Sequence, residues 1–243
     1  MTDSTPAKGA LKWALPPAGG AFVYEYTHHR VVTGGGGLRK DEAVADRRAE
    51  LIFTPEPSGE AVRVVLTNID DTGCIDGERV ELPPDRMSYP IVVFDQSGRI
   101  LENLSPPTFP LAFSPELEGL TQGSSRRSDF SAPFKSGFGH ALAQGTVCTT
   151  WESTEPVDGS LCAVLVTTFD LQSVPGGYPW SPDPPRFRGR TVAHFDLEVG
   201  RLALLESTSQ TEQTIGWKRI RQELRMTFRF LRSSVLDDEA KVG

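Results

Sequence analysis

Short runs in which apolar and polar residues alternate, cut at regular intervals by Gly, Pro, Asp and Ser, constrain this chain more than any other feature of it. A period of two marks strands with one covered face, and turn residues between them mark hairpins. Phe22 to Val32 reads as a first strand. Ala49–Thr54 and Ala61–Ile69 read as a hairpin across Pro55-Glu56-Pro57-Ser58-Gly59. Three more hairpins are expected: Ile91–Asp95 with Arg99–Glu102, Thr146–Ser153 with Leu161–Asp170, and Thr191–Leu197 with Arg201–Thr208. One short helix is expected near 114–119, where Ser114 caps, Pro115 opens, Glu116 and Glu118 suit the positive end and Gly119 stops it. The expected fold class is all-β and antiparallel.

The chain also echoes itself. Thr54 to Asp70 and Thr154 to Asp170, at an offset of 100, share Thr54/Thr154, Gly59/Gly159, Val64/Val164, Thr67/Thr167 and Asp70/Asp170. A second echo sets Phe94-Asp95-Gln96-Ser97-Gly98-Arg99-Ile100 against Phe195-Asp196-Leu197-Glu198-Val199-Gly200-Arg201-Leu202, with one extra residue inside the turn. Turns tolerate such insertions. Two echoes in the same order point to duplication of a β-meander. The expected repeats are residues 20–120 and 121–233, packed as one domain in a sandwich, half-barrel or barrel. Residues 1–19 and 234–243 are expected to be flexible.

Leu161 to Phe169 is apolar on both alternate faces, and Ala61 to Ile69 is nearly so, interrupted by Arg63. A strand apolar on both faces needs cover on both sides. In an antiparallel protein the cover is a second sheet, a helix or a bound ligand, so a filled core and a lined cavity both stay open.

The second half carries Gly189-Arg190-Thr191-Val192-Ala193-His194-Phe195-Asp196-Leu197-Glu198-Val199-Gly200-Arg201-Leu202 ahead of a long final strand. It resembles a family of uncharacterised bacterial β proteins with the signature G-x-x-x-F-D-L-x-x-G-R-L, here with wider spacing. The resemblance implies a bacterial β protein, and many members of that family resemble secreted or lipid-anchored proteins. A looser, architectural likeness is to curved-sheet lipoprotein carriers, whose concave face holds acyl chains.

The net charge of −7 and pI near 5.2 argue against a general nucleic-acid binder, which needs a basic surface to displace counterions. No stretch reaches the 18 apolar residues of a membrane helix. Residues 1–20 lack the basic start and apolar stretch of a secretory signal, and Cys74, Cys148 and Cys162 make an odd, scattered set. A reducing, cytoplasmic location is the expectation, with a removed signal as the alternative.

Catalytic signatures are missing: there is no G-x-S-x-G, G-K-[ST], C-x-x-C or H-E-x-x-H. Gly34 to Gly37 is not followed by a helix pattern and reads as a hairpin loop. His28 and His29 are adjacent on a strand, so they point to opposite faces and cannot chelate one metal together. Asp70 to Glu78 is rich in carboxylates, but its spacing is not that of a calcium loop, and a turn with a short hairpin is expected. Those carboxylates disfavour a Cys74 thiolate. No metal and no cofactor is expected.

Two features suit a partner. The stretch Pro175 to Pro185 holds Tyr178 and Trp180, with Phe187 just beyond. The last strand, Trp217 to Arg232, carries six basic residues against one acidic, with Arg219, Arg221, Arg225 and Arg229 on one face and Ile220, Leu224, Met226, Phe228 and Phe230 on the other. A helix with Ile220, Leu224, Phe228 and Leu231 on one stripe is the competing reading. Arg221, Arg225, Arg229, Tyr178 and Trp180 are therefore the candidate partner-binding residues. The expected function is a non-catalytic binding or assembly protein for an unknown partner. The alternatives are a carrier of an apolar small molecule in a β cavity, and a cofactor-independent enzyme.

Overall fold

A computed structural model describes residues 11–35, 40–80, 90–103, 117, 119–136, 139–174, 184–215 and 218–235. The strands are β1 (Gly20–Gly35), β2 (Lys40–Pro55), β3 (Ala61–Ile75), β4 (Glu78–Val80), β5 (Pro90–Asp95) and β6 (Ile100–Asn103), followed by β7 (Ser125–Ser136), β8 (Gly139–Val157), β9 (Ser160–Ser173), β10 (Arg186–Asp196), β11 (Arg201–Ile215) and β12 (Lys218–Val235). Every pairing is antiparallel, as the alternation predicts.

The strands form one sheet in the order β6-β5-β3-β2-β1-β12-β11-β10-β9-β8-β7, with β4 beside β3. This is sequence order wrapped round: β12 returns to pair with β1 from Gly20↔Val235 to Gly35↔Arg219. Among the described residues β6 and β7 do not pair, so the sheet is open between them. The expected all-β class holds, and of the three architectures left open the open, curved half-barrel fits.

Curvature follows from one contact. Phe94 on β5 and Phe195 on β10 are six strand steps apart, about 29 Å across a flat sheet. Both rings nevertheless lie within 5.3 Å, centroid to centroid, of the single indole of Trp13. The sheet must curl until these strands face each other across its interior.

That interior is packed at one end. Tyr24, Leu51, Val64, Phe94, Leu165, Phe195, Leu202 and Phe228 point into it from both halves. The segment from Leu11 to Gly19 lies across them as a plug. Trp13 N donates to Gln96 O at 3.2 Å and Ala14 N donates to Gly200 O at 2.6 Å, which pins the plug to the β5–β6 and β10–β11 turns. Gly200 has no alternative residue here: its φ is +76°, and a Cβ would meet Lys12 O at 2.8 Å. Burying this much aromatic and aliphatic surface is the dominant favourable term for such a sheet.

The structure corrects several expectations. The expected flexible segment 1–19 includes Leu11 and Trp13, which are instead 5% and 4% exposed in the core. Isolated apolar residues among Pro, Gly and Ala have no periodicity to betray them. The final segment, by contrast, is strand β12 as first read, and the competing helix fails because the segment is hydrogen-bonded on both sides by β1 and β11. β7 and the first half of β2 are strands that the alternation did not reveal, since Ser125-Arg126-Arg127-Ser128-Asp129 and Lys40-Asp41-Glu42 are polar throughout. The Asp70–Glu78 turn is displaced: β3 runs on to Ile75 and the reversal is Asp76-Gly77, both at positive φ. The helix expected near 114–119 lies outside the described residues except for Leu117 and Gly119, which sit in a turn. No helix occurs among the described residues.

Candidate binding site

Register places one polar row across the inner face, just above the packed core. Directly paired residues share a face, so the pairs can be followed from strand to strand. The row runs Arg126–Thr149–Thr167–Thr191–Ser207–Met226–His28–Arg47–Asp71, from β7 round to β3.

The hydroxyl half is buried and self-satisfied. Thr149 and Thr167 hydroxyls bond each other at 3.0 Å, and Thr191 donates to Ser207 at 2.9 Å. In a low-dielectric interior such pairing removes most of the cost of burying the groups. The charged half is a bidentate pair: Arg47 Nε donates to Asp71 Oδ1 and its terminal nitrogen to Oδ2, both at 2.6 Å. The two side chains are 19% and 13% exposed. Beside them the Tyr26 hydroxyl and His28 Nδ1 share a hydrogen bond of 2.8 Å.

Burial sets the protonation states. His28 is pushed down to about 4, first by desolvation and then by the Arg47 and Arg30 guanidiniums, against which Asp71 and Asp46 pull more weakly. It is neutral at pH 7. The Tyr26 phenol is pushed up, mainly by burial. His29, by contrast, faces outward and pairs with Asp46 at 2.6 Å, so the two adjacent histidines do point to opposite faces.

Above the row the inner face changes character. On β8 to β10, Val147, Phe169, Leu171 and Phe187 form a second apolar cluster with Phe130 against it. Phe169 lies over Gly189, where an added Cβ would sit 2.4 Å from its ring. Round the other side, Gln222, Val32, Ala43 and Ala45 are half-buried, and Ile75 is 49% exposed. The row thus divides a filled lower interior from an upper wall that is mostly apolar, partly exposed and built of small residues on β2.

The sequence-predicted site residues lie elsewhere. Arg221, Arg225 and Arg229 are exposed on the outer face of β12 while Leu224, Met226 and Phe228 are buried on the inner one. Arg221 pairs with Glu223 at 2.9 Å and Arg229 with Asp158 at 3.3 Å. Tyr178 and Trp180 lie outside the described residues. Phe187 is buried in the second cluster. Cys162 is buried, and desolvation pushes its thiol up to about 11, which disfavours its thiolate at neutral pH.

The row was missed because register cannot be read from one strand at a time. One signal was present: the inner face of β1 reads Phe22, Tyr24, Tyr26, His28, Arg30, apolar at one end and charged at the other.

No protein-family model matches the chain, and no curated protein matches it. Among solved structures it is similar to one described as lipid–protein interactions in lipovitellin, with 11% identity and a TM-score of 0.55 over 93% of this chain. The chain spans 26% of that lipovitellin chain. The hypothetical lipoprotein YmcC from Escherichia coli K12 aligns at 13% identity and TM-score 0.31, over 82% of this chain and 83% of that one. DynF from the dynemicin biosynthesis pathway of Micromonospora chersina aligns at 8% identity and TM-score 0.26, over 96% and 92%. At these identities the lipovitellin likeness is one of fold: this chain shares with it the architecture of an open, curved antiparallel sheet.

Proposed function

We propose that this chain is a binding protein without a catalytic role, and that it carries an apolar or amphipathic small molecule against the upper inner face of the half-barrel. The division of that face is the observation that carries the reading. The lower interior is filled by the chain's own core and plug, whereas the upper wall presents Val32, Ala43, Ala45 and Ile75 beyond a row of satisfied polar groups. Apolar walls with a few placed polar groups are the usual make-up of small-molecule sites. The lipovitellin likeness supports the reading, since the matched structure concerns lipid–protein interactions.

Nile red, an uncharged apolar dye, tests it. Its emission should rise and shift to the blue on adding folded protein, and Ala45→Trp, which fills the wall, should weaken binding by about tenfold or more. A dye that binds both proteins equally, or neither, would remove the carrier reading and leave the assembly-protein reading.

A further inference from the structure

Among the described residues, the polar row and the two rows above it carry more guanidiniums than carboxylates. Following the register from Arg126–Thr149 to Arg47–Asp71, and through the next two rows, the ionic side chains on this face among the described residues are Arg126, Arg47, Arg30 and Asp71, with Glu78 at the edge on β4 opposite Ile75. Three guanidiniums stand against two carboxylates, Asp71 and the outlying Glu78, in a chain of net charge −7. Acidic residues of the same strands, such as Glu42, Glu212 and Glu223, alternate to the outer face.

The three arginines are not equivalent. Arg47 is already held bidentately by Asp71. Arg30 is exposed, stands between Leu224 and Ala45 in the row above, and forms no ion pair among the described residues. It is therefore a cation set into an apolar wall, with its stem beside the surface on which a ligand's chain would lie. Such a place suits an anion tethered to a hydrocarbon tail: the tail covers apolar wall while the head satisfies the guanidinium with charge-assisted hydrogen bonds.

Resting on the carrier reading, we infer that the ligand is an anionic amphipath, whose carboxylate or phosphate head is received by Arg30, one row above the polar row, while its aliphatic tail lies along the upper wall. A guanidinium fork matches either head, so the two sources share one recognition chemistry.

Competition against Nile red on the full chain separates the possibilities, using decanoate, decyl phosphate and 1-decanol. One or both anions should displace the dye at about tenfold lower concentration than the alcohol, the scale expected for one charge-assisted contact. Arg30→Gln, an exposed and conservative change, should abolish that preference while leaving displacement by 1-decanol unchanged. Preference for decanoate alone assigns a fatty-acid-like ligand, and preference for decyl phosphate a phospholipid-like one. Equal displacement by all three, or a preference that survives Arg30→Gln, overturns the charge assignment but not the carrier reading. Failure of Nile red to bind at all overturns both.

Discussion

Asp95 and Asp196 hold two turns on opposite sides of the half-barrel in the same way. Asp95 Oδ1 accepts from Ser97 N at 2.9 Å and Arg99 N at 3.0 Å, and Asp196 Oδ1 accepts from Glu198 N and Val199 N at 3.0 Å. Each aspartate follows a phenylalanine that packs on Trp13, and each turn gives a carbonyl to the plug. A side-chain carboxylate that caps its own turn in this manner fixes the hairpin without help from distant residues.

We propose that this correspondence descends from the duplication expected of residues 20–120 and 121–233. Gly59 and Gly159 both take positive φ in hairpins that lead into β3 and β9, and β3 pairs with β5 as β9 pairs with β10, with a one-residue slip: Val62 lies opposite Phe94, whereas Ala163 rather than Cys162 lies opposite Phe195. A crystal structure should superpose β3 on β9 and β5 on β10, with Gly59 on Gly159. Overlay of β3 on any strand other than β9 would reject the duplication.

Removal of the plug's anchor should be costly. Trp13 is nearly fully buried between two rings from strands far apart in the sheet, so Trp13→Ala leaves a cavity that neither half can close alone. Denaturant unfolding should show a loss of about 3–5 kcal/mol, the range for truncating a buried aromatic. A loss below about 1 kcal/mol would mean that the plug is not part of the cooperative core.

His28 should make stability depend on pH. Its folded value, about 4, is lower than its ordinary 6.5. Between those values the unfolded chain binds a proton that the folded chain refuses, so stability falls as pH drops from about 6.5 towards 4 and rises again with pH. Chemical denaturation at pH 7 and pH 4.5 should show wild type losing about 1–2 kcal/mol more than His28→Gln, on the scale of 1.36 kcal/mol per pKa unit. Identical losses would show that His28 titrates normally in the fold.

The outer face of β12 offers a separate test of the partner residues read from the sequence. Any macromolecular partner held by Arg221, Arg225 and Arg229 should be lost from pull-downs at high salt and with Arg225→Glu, because exposed charge contacts are screened over about 8 Å at physiological ionic strength. A contact centred on Trp180 should resist salt but be lost with Trp180→Ala. Recovery unchanged in both variants would exclude both places.

The legibility of the molecule in its sequence follows the range of the forces involved. The hairpins around Gly59, Gly98, Gly159 and Gly200 were readable because turn chemistry and alternation are local. The inner face of β12, with Leu224, Met226 and Phe228, was readable for the same reason. The wrap that sets β12 beside β1 was not, because it joins residues about 200 positions apart and leaves no local pattern. The polar row suffered the same fate: Thr149, Ser207, His28 and Asp71 are unremarkable singly and become a site only through register. Leu11 and Trp13 were hidden in a segment whose composition resembles a linker.

Native mass spectrometry of the full chain purified from its own host tests the central claim most directly. The account predicts a small-molecule adduct on the folded protein, released as an acidic amphipath on denaturation and absent from Ala45→Trp. Folded protein carrying no adduct from its host, or an adduct retained in full by Ala45→Trp, would contradict it.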